Sequence, residues 1–369
     1  MYKNAMSILL MTSNTIGQFL NRGNNNLDLI RVLCAYFVIY SHAFVISPAI
    51  GENDILYKLT LLSYVSFGGV AVKTFFLISG LLVTNSILSN GKILNYIGSR
   101  FFRVYPAYAV TIIITALLIG PWLSNLSFVD YFSSRDVWLY VLRTLKLDVQ
   151  YTLPGVFENN NINAVNGSLW TIPMEIKAYF YLLLIYLFSL VFGPYKKIFI
   201  GLVSLAILVE PFTPFKGILI SKSNDPSIYL LYPFFSIGCL IAILKDKATT
   251  NSLLIISGLS LLLFFTCNDE KLKTALFYLF FTVSLLYFAS ISLLQKLKIK
   301  HDISYGIYLW AFPTQQIVAS IYSSSPYMNI LISMLISSAI AYLSFKTIEK
   351  PSLLINKRMF NLKSLPTTA

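Results

Sequence analysis

The feature that most constrains the fold is a series of ten apolar segments distributed over nearly the whole chain of 369 residues. A helix that crosses a bilayer needs about 20 mostly apolar residues. Hydrophobic residues make up 56% of the chain and charged residues 12%, whereas a soluble domain carries about 25% charged residues. The sequence therefore predicts an all-α, polytopic membrane bundle of about ten transmembrane helices. These segments lie at 27–47, 65–88, 104–124, 170–192, 197–210, 228–244, 251–267, 274–294, 303–322 and 327–346.

The distribution of basic residues predicts the orientation of this bundle, because cytoplasmic loops carry an excess of Lys and Arg. With both termini in the cytoplasm, 17 basic residues fall on the cytoplasmic side and eight on the opposite side. The first span is expected to act as an uncleaved insertion signal. We therefore expect a cytoplasmic N-terminal segment at 1–26, a transmembrane domain at 27–346 and a cytoplasmic basic tail at 347–369.

The polar parts of the chain argue against several classes of protein. The net charge of +13 lies in short gaps between apolar segments, so the chain presents no basic face and no nucleic-acid partner is expected. Its three cysteines all lie within apolar segments and give neither a disulfide framework nor a metal-ligand spacing. The longest gap, 125–169, is rich in Asn and is expected to contain a short amphipathic helix near 136–147.

Three ionisable residues inside the apolar segments are candidates for function. An ionisable group at mid-bilayer costs about 2.5–3.5 kcal/mol on insertion scales and is functional by default. His42 is expected in the outer third of the bundle, with Glu175 roughly 8 Å and Lys73 roughly 12 Å below the outer surface, from a rise of 1.5 Å per residue. An imidazole beside a carboxylate forms a general base with its orienter. A packing role for His42, and for Lys73 a salt bridge to Glu175 or snorkelling, are the alternatives.

Three arginines are expected at the inner surface: Arg31 in the first span, with Arg100 and Arg103 before the third. Ordinary positive-inside anchoring explains a single arginine. Three guanidinium groups at one level, two of them on one helical face, could also hold phosphates. The sequence contains no Gly-rich phosphate loop, HExxH, CxxC or GxSxG motif, so metal, ATP-driven and classical serine-hydrolase chemistries lack support.

Five motifs along the chain resemble those of the acyltransferase-3 family of integral-membrane O-acyltransferases, which includes O-antigen and capsule acetylases. Arg31 and His42 reproduce the Arg-x10-His spacing of that family, and Arg100 and Arg103 its Arg-x2-Arg pair. Trp170 is followed five residues later by the acid Glu175, which matches the SLW segment of the family. In chain order the motifs are LDLIRVLCAYFVIYSHAF, VKTFFLISGLLV, SRFFRVYPAY, NGSLWTIPMEIKAYF and ISYGIYLWAFPTQQ.

The resemblance implies an enzyme of the bacterial inner membrane that transfers an acetyl group from cytoplasmic acetyl-CoA to a hydroxyl group of a surface polysaccharide, or of its lipid-linked precursor. It implies that Arg31 with His42, and Arg100 with Arg103, are essential for activity. With the depths given above, this favours catalysis by His42 oriented by Glu175, and donor binding by Arg100 and Arg103 with Arg31 as a further candidate. Ser79, Tyr308 and Gln315 are polar candidates for stabilising the oxyanion, and no metal is expected. A glycan or lipid-intermediate transporter without chemistry, and an acyltransferase that acts on a small molecule, are the alternative interpretations.

Overall fold

The computed structural model describes residues 14–21, 23–215, 217–219, 223–297, 299–321 and 325–360, and within these ranges the chain is helical with no strand. Most of the predicted N-terminal segment, and the end of the tail beyond residue 360, lie outside the described residues. Twelve helices carry the architecture: α1 Leu27–Ile46, α2 Phe67–Asn90, α3 Ile93–Ile114, α4 Arg135–Leu145, α5 Thr171–Ser189, α6 Lys196–Val209, α7 Leu231–Ile243, α8 Thr250–Thr266, α9 Glu270–Phe288, α10 Ser304–Ile321, α11 Pro326–Ser344 and α12 Lys350–Met359.

Each predicted apolar segment coincides with a helix, and the predicted amphipathic helix is α4. Seven helical stretches of the described chain are long and apolar enough to cross a membrane. One of these stretches, 167–212, contains both α5 and α6. The backbone leaves helical geometry between these two helices, at Gly193 (φ 53°). The third predicted segment lies within a longer helical stretch, since α3 begins eleven residues earlier, at Ile93. Arg100 and Arg103 therefore lie within a helix. A search for apolar segments detects only the apolar part of such an amphipathic helix.

The described chain divides into two compact units. The first comprises the described residues within 14–30, 73–90 and 184–299, and the second comprises those within 31–72, 91–183 and 300–360. Helices α6, α7, α8 and α9 belong wholly to the first unit, and α3, α4, α10, α11 and α12 wholly to the second.

In the first unit, α2 and α7 approach so closely that glycine is required on both helices. A Cβ atom at Gly80 would lie 2.0 Å from the carbonyl oxygen of Phe235, and one at Gly238 would lie 2.1 Å from that of Leu77. Small residues allow helix backbones to meet in this way.

In the second unit, α10 is the central helix, and most of its residues are buried. Its neighbour α11 packs against it where Gly306 meets Ala341. Helix α12 covers α3, with Asn356 and Phe360 lying against Gly98. The candidate catalytic residues of this unit are therefore arranged around a buried helix rather than on a mobile loop.

Candidate active site

One face of α10 carries Tyr308, Phe312 and Gln315, which are spaced four and three residues apart and therefore lie side by side along the helix. Tyr308 and Gln315 were predicted as polar candidates, and the structure buries both of them. This face defines the candidate site, because α1 and the NGSLW motif both contact it.

His42 lies on α1 beside this face of α10. Its imidazole meets the ring of Phe312 edge-on, with centroids 5.2 Å apart. One helical turn earlier on α1, the carbonyl oxygen of Ile39 accepts a hydrogen bond of 2.8 Å from Nε2 of Gln315. The Nδ1 atom of His42 is buried and has no hydrogen-bond partner in the part of the chain that the structure describes. The imidazole ring as a whole is partly exposed.

The NGSLW motif packs against the same face of α10. Asn166 donates to the carbonyl oxygen of Leu309 at 2.9 Å, and the Tyr308 hydroxyl donates to that of Ser168 at 2.8 Å. A Cβ atom at Gly167 would lie 2.6 Å from the Phe312 ring, so the glycine allows this close approach. Trp170 ends the motif and is half-buried. The motif and His42 thus contact the same aromatic side chain.

The loop before the motif is tied to both α1 and α10. Gln316, which is fully buried, donates through Nε2 to the carbonyl oxygens of Ile162 (2.7 Å) and Ala164 (2.6 Å), and its Oε1 accepts from Asn160 at 2.9 Å. Asn161 donates to the carbonyl oxygen of Val45 on α1 at 2.7 Å. The loop is therefore held at several points beside the predicted base.

The predicted orientation of His42 by Glu175 stays a prediction; in this structure Nδ1 of His42 has no hydrogen-bond partner among the described residues. Glu175 lies in the first turns of α5, and its Oε1 accepts a short hydrogen bond from the hydroxyl group of Tyr179. Tyr179 is four residues further along the same helix, where side chains are neighbours. Tyr179 is thus one local partner of this carboxylate.

Two of the three predicted arginines converge on an aspartate that the sequence analysis missed. Arg103 donates to Oδ2 of Asp302 at 2.6 Å, and Arg31 approaches the same oxygen at 3.3 Å. Arg100 is placed differently, with its guanidinium group 5.7 Å from the centre of the Tyr179 ring. The structure therefore brings Arg31 and Arg103 together and gives Arg100 a separate environment.

Asp302 lies immediately before α10 and is 1% exposed. Its other oxygen, Oδ1, accepts from the backbone amide of Ser304 at 3.1 Å and from the Ser304 hydroxyl at 2.5 Å. Burial acts to raise the pKa of this carboxyl, but the charges of Arg103 and Arg31 outweigh burial and hold it below its usual value. The available sequence signal was an Asp two residues before a Ser at the start of an apolar helix, which is typical of a turn that precedes a helix.

Lys73 and Ser79, the two remaining candidates, lie on α2 in the first unit. Lys73 is 1% exposed, and its ammonium group lies 4.1 Å from the centre of the Tyr278 ring, within the range of a cation–π interaction. Ser79 is half-buried and precedes the close-packed Gly80. The structure thus gives Lys73 an aromatic partner that the sequence analysis did not consider.

Comparison with known proteins establishes the family of the chain. The family model described as an acyltransferase domain (acyltransferase-3) matches residues 24–346, which is most of the chain. The chain belongs to the acyltransferase-3 family. It is therefore an acyltransferase and a multi-pass membrane protein, as the sequence motifs predicted. Membership of an enzyme family argues against the alternative of a transporter without chemistry.

Two curated proteins are similar to this acyltransferase. A protein named O-acetyl transferase from Shigella phage Sf6 is 27% identical, over 89% of this chain and 95% of the relative. Nodulation protein 10 from Rhizobium leguminosarum bv. viciae is 29% identical, over 42% of each chain. No solved structure shows a significant match.

Proposed function

We propose that this enzyme transfers an acetyl group from cytoplasmic acetyl-CoA to a hydroxyl group of a surface polysaccharide such as O-antigen, capsule or exopolysaccharide, or of its lipid-linked precursor. The observation that carries the proposal is the placement of Arg31 and His42 on one continuous helix. Eleven helical residues separate their Cα atoms by about 16 Å, a distance comparable to the extended pantetheine arm of coenzyme A. An anion-binding end and a base thus lie at the two ends of one rigid element.

The donor would bind with its phosphates at the arginine end of α1. Arg31 and Arg103 share a single carboxylate, Asp302, so this cluster of three groups keeps a net charge of +1. Guanidinium groups bind phosphate oxygens in a fork geometry. Arg100 would add a third positive group for the same donor. The thioester would then extend along α1 towards His42.

His42 would act as the general base. Its imidazole takes the proton from the acceptor hydroxyl group while the hydroxyl oxygen attacks the acetyl carbonyl carbon. The tetrahedral intermediate then collapses, the carbon–sulfur bond breaks, and the leaving CoA thiolate takes the proton from the imidazolium. Of the predicted polar candidates, Tyr308 on α10 would donate to the oxyanion. An acetyl group carried first on His42 is a variant of the same chemistry.

Glu175 enters the proposal as a second catalytic group that acts without a hydrogen bond to His42. Its carboxylate lies within electrostatic range of Tyr305 and Tyr308 on α10. The negative charge of Glu175 would stabilise the positive charge that develops on the His42 imidazole during proton transfer.

We further propose ten membrane spans in the bacterial inner membrane, with both termini cytoplasmic. The positive-inside count supports this orientation, and the break at Gly193 supports counting α5 and α6 as two spans. In this arrangement the arginines face the cytoplasmic pool of donor, and His42 lies near the outer surface.

The acetyl group and the oxygen acceptor are supported by the name of the phage relative, O-acetyl transferase, which aligns over almost its whole length. The partial match to a nodulation protein keeps a small-molecule or short-glycan acceptor as the second candidate. In either case the acceptor contributes a hydroxyl group, and the residues proposed here keep their roles.

The proposal is tested by NMR of surface glycan purified from cells of the source strain with the gene, without it, and with a His42→Ala copy. Acetyl signals on the glycan should be present only with the intact gene. Glycan that is acetylated equally in all three strains would contradict the proposal that this glycan is the acceptor. Purified enzyme in vesicles, supplied with acetyl-CoA labelled in its acetyl group, then tests the donor directly: label must appear on the glycan.

A further inference from the structure

Nδ1 of His42 and Oε1 of Gln315 are both buried and lack hydrogen-bond partners among the described residues. Buried polar atoms in folded proteins are nearly always hydrogen-bonded, so each exception needs an explanation. The two atoms are chemically complementary. The Gln315 oxygen can only accept, and Nδ1 of a neutral imidazole donates in one of the two tautomers.

The backbone places these two side chains at the same level of α1. Side chains of a helix lean over the turn that precedes their own Cα atom, so the imidazole of His42 lies over the turn that contains Ile39. Gln315 is anchored to that same turn, because its Nε2 donates to the carbonyl oxygen of Ile39 at 2.8 Å. Phe312, one turn from Gln315 on α10, contacts the imidazole ring directly.

The backbone of Gln315 is fixed as well. Its carbonyl oxygen accepts from Nδ2 of Asn329 on α11 at 2.9 Å, and the same nitrogen donates to the Ser47 hydroxyl at 3.0 Å. Gln315 is fully buried, and one end of its amide is held by Ile39. The amide oxygen is therefore the free end of a side chain that is otherwise held in place.

The neighbouring Gln316 shows what a purely structural glutamine looks like in this helix. It is equally buried, but its Nε2 donates to two carbonyl oxygens and its Oε1 accepts from Asn160. Only Gln315, on the His42 side of α10, keeps an unpaired oxygen. The two adjacent amides thus provide a matched comparison.

We propose that Gln315 is the positioning residue of His42: its Oε1 accepts a hydrogen bond from Nδ1–H of the imidazole through one buried water, since neither atom has a direct partner among the described residues. The inference rests on the proposed role of His42 as base and gives it the orienter that Glu175 does not supply. With the proton held on Nδ1, the lone pair of Nε2 is available for the acceptor hydroxyl group. After proton transfer both nitrogens carry hydrogen, and the amide oxygen continues to accept from Nδ1. A neutral amide orients the catalytic histidine of papain-like proteases in the same way.

The chain contains only two histidines, so the tautomer of His42 can be read from one spectrum. Protein labelled with ¹⁵N-histidine, carrying His301→Gln to remove the second signal, is measured in detergent micelles above the pKa of the imidazole. We expect a single neutral tautomer with the proton on Nδ1. A predominant Nε2–H tautomer in this protein would overturn the proposal without any further variant.

Three variants in the same background complete the test. Gln315→Met should lose the tautomer preference, Gln315→Glu should keep it because the acceptor oxygen is restored, and Gln316→Met should leave it unchanged. An unchanged tautomer in folded Gln315→Met protein would contradict the assignment. If that variant does not fold, the spectrum of the protein that retains Gln315 still shows which tautomer His42 adopts and so decides the proposal.

Activity adds a second readout. In Gln315→Met, kcat should fall by about 10- to 100-fold, a smaller loss than the roughly 10⁴-fold that removing a carboxylate orienter costs a Ser-His-Asp triad. KM for donor and acceptor should stay within about twofold of the original values, because no substrate contact is removed. Gln315→Glu should recover part of kcat. If the unsubstituted enzyme transfers no acetyl group, the proposed function fails, whereas the tautomer result still tests the pairing.

Discussion

Arg103 and Arg31 meet at a single carboxylate oxygen, Oδ2 of Asp302, at 2.6 and 3.3 Å respectively. Asp302 is buried, whereas the two arginine side chains keep 21% and 17% of their surface exposed. The buried carboxylate thus holds two guanidinium groups from α1 and α3 in place while leaving part of each accessible to an anionic ligand. The positions of the two arginines relative to one another depend on this residue.

The first prediction concerns Asp302→Asn. At pH 7 the variant should be less stable by about 2 kcal/mol, below the 3–5 kcal/mol of a fully buried pair because the arginines are partly exposed. The pKa of Asp302 is lowered in the folded protein, so its contribution is present above the unfolded pKa of about 3.9 and disappears as the pH falls further. Thermal unfolding in detergent should therefore show a difference at pH 7 that shrinks below pH 4. A constant difference across this range would contradict the assignment.

The second prediction concerns donor binding. Arg103→Ala should raise KM for acetyl-CoA about 10-fold or more, since a charge-assisted contact to phosphate is lost, and should leave the acceptor KM nearly unchanged. Arg143→Ala is the matched control, because Arg143 forms an exposed ion pair with Asp148. Steady-state kinetics in vesicles of known orientation would measure both constants. Equal effects on donor and acceptor would be inconsistent with a donor site at Arg103.

The third prediction concerns the base. His42→Ala should reduce acetyl transfer by at least about 10²-fold, the usual contribution of a general base, while expression and membrane insertion persist. His301→Ala is the control: it removes the other histidine, which stacks on Phe345, and should retain most of the activity. Transfer assays with labelled acetyl-CoA give the comparison. Comparable losses in both variants would indicate a structural rather than a catalytic role.

The fourth prediction follows from the hydrogen bond between Tyr179 and Glu175. Glu175→Gln should reduce kcat less than His42→Ala does, because the carboxylate does not contact Nδ1 of His42. Tyr179→Phe removes the same hydrogen bond and should have a similar or smaller effect. Side-by-side kcat values test this order; a loss in Glu175→Gln as large as that of His42→Ala would restore Glu175 as a direct partner of the base.

The fifth prediction concerns the close contact between α2 and α7. Gly80→Ala should lower the free energy of unfolding by about 1–3 kcal/mol, as overpacking does, because its Cβ meets a backbone carbonyl that cannot rotate away. Gly258→Ala on α8 is the control, since a Cβ there has nothing within 4 Å, and it should be neutral or stabilising by up to about 1 kcal/mol. Thermal unfolding of both proteins in detergent decides; a tolerated Gly80→Ala would argue against this contact.

The sequence predicted the helices well, because long apolar segments have few alternatives to helix in a membrane. Residue type, spacing and the family resemblance singled out His42, Arg31 and Arg103 as candidates, and their roles stay predictions. The sequence did not predict which polar groups would be partners. Asp302 is far from both arginines in the chain, and the hydrogen bond from Gln315 to Ile39 joins residues 276 positions apart. Such pairings depend on how helices pack, which periodicity does not encode.

The same limit applies to Glu175, whose predicted role beside His42 stays a prediction. Matched depth in the bilayer suggested that His42 and Glu175 would meet, but depth fixes only one of three coordinates. Tyr179, one helical turn along α5, donates a hydrogen bond to the Glu175 carboxylate. Such a contact within one helix requires no long loop to close. Local partners of this kind are visible in the sequence as pairs four residues apart.

The loop at 160–166 has a consequence for how this enzyme chooses its acceptor. Asn160, Asn161 and Asn166 all donate to backbone carbonyl oxygens of α10 or α1, so the wall beside His42 is assembled before any substrate arrives. An acceptor that enters here meets a preformed frame and pays little for ordering the protein around it. Under the proposed function, discrimination between acceptors would then rest on the shape of that frame rather than on the motion of a lid.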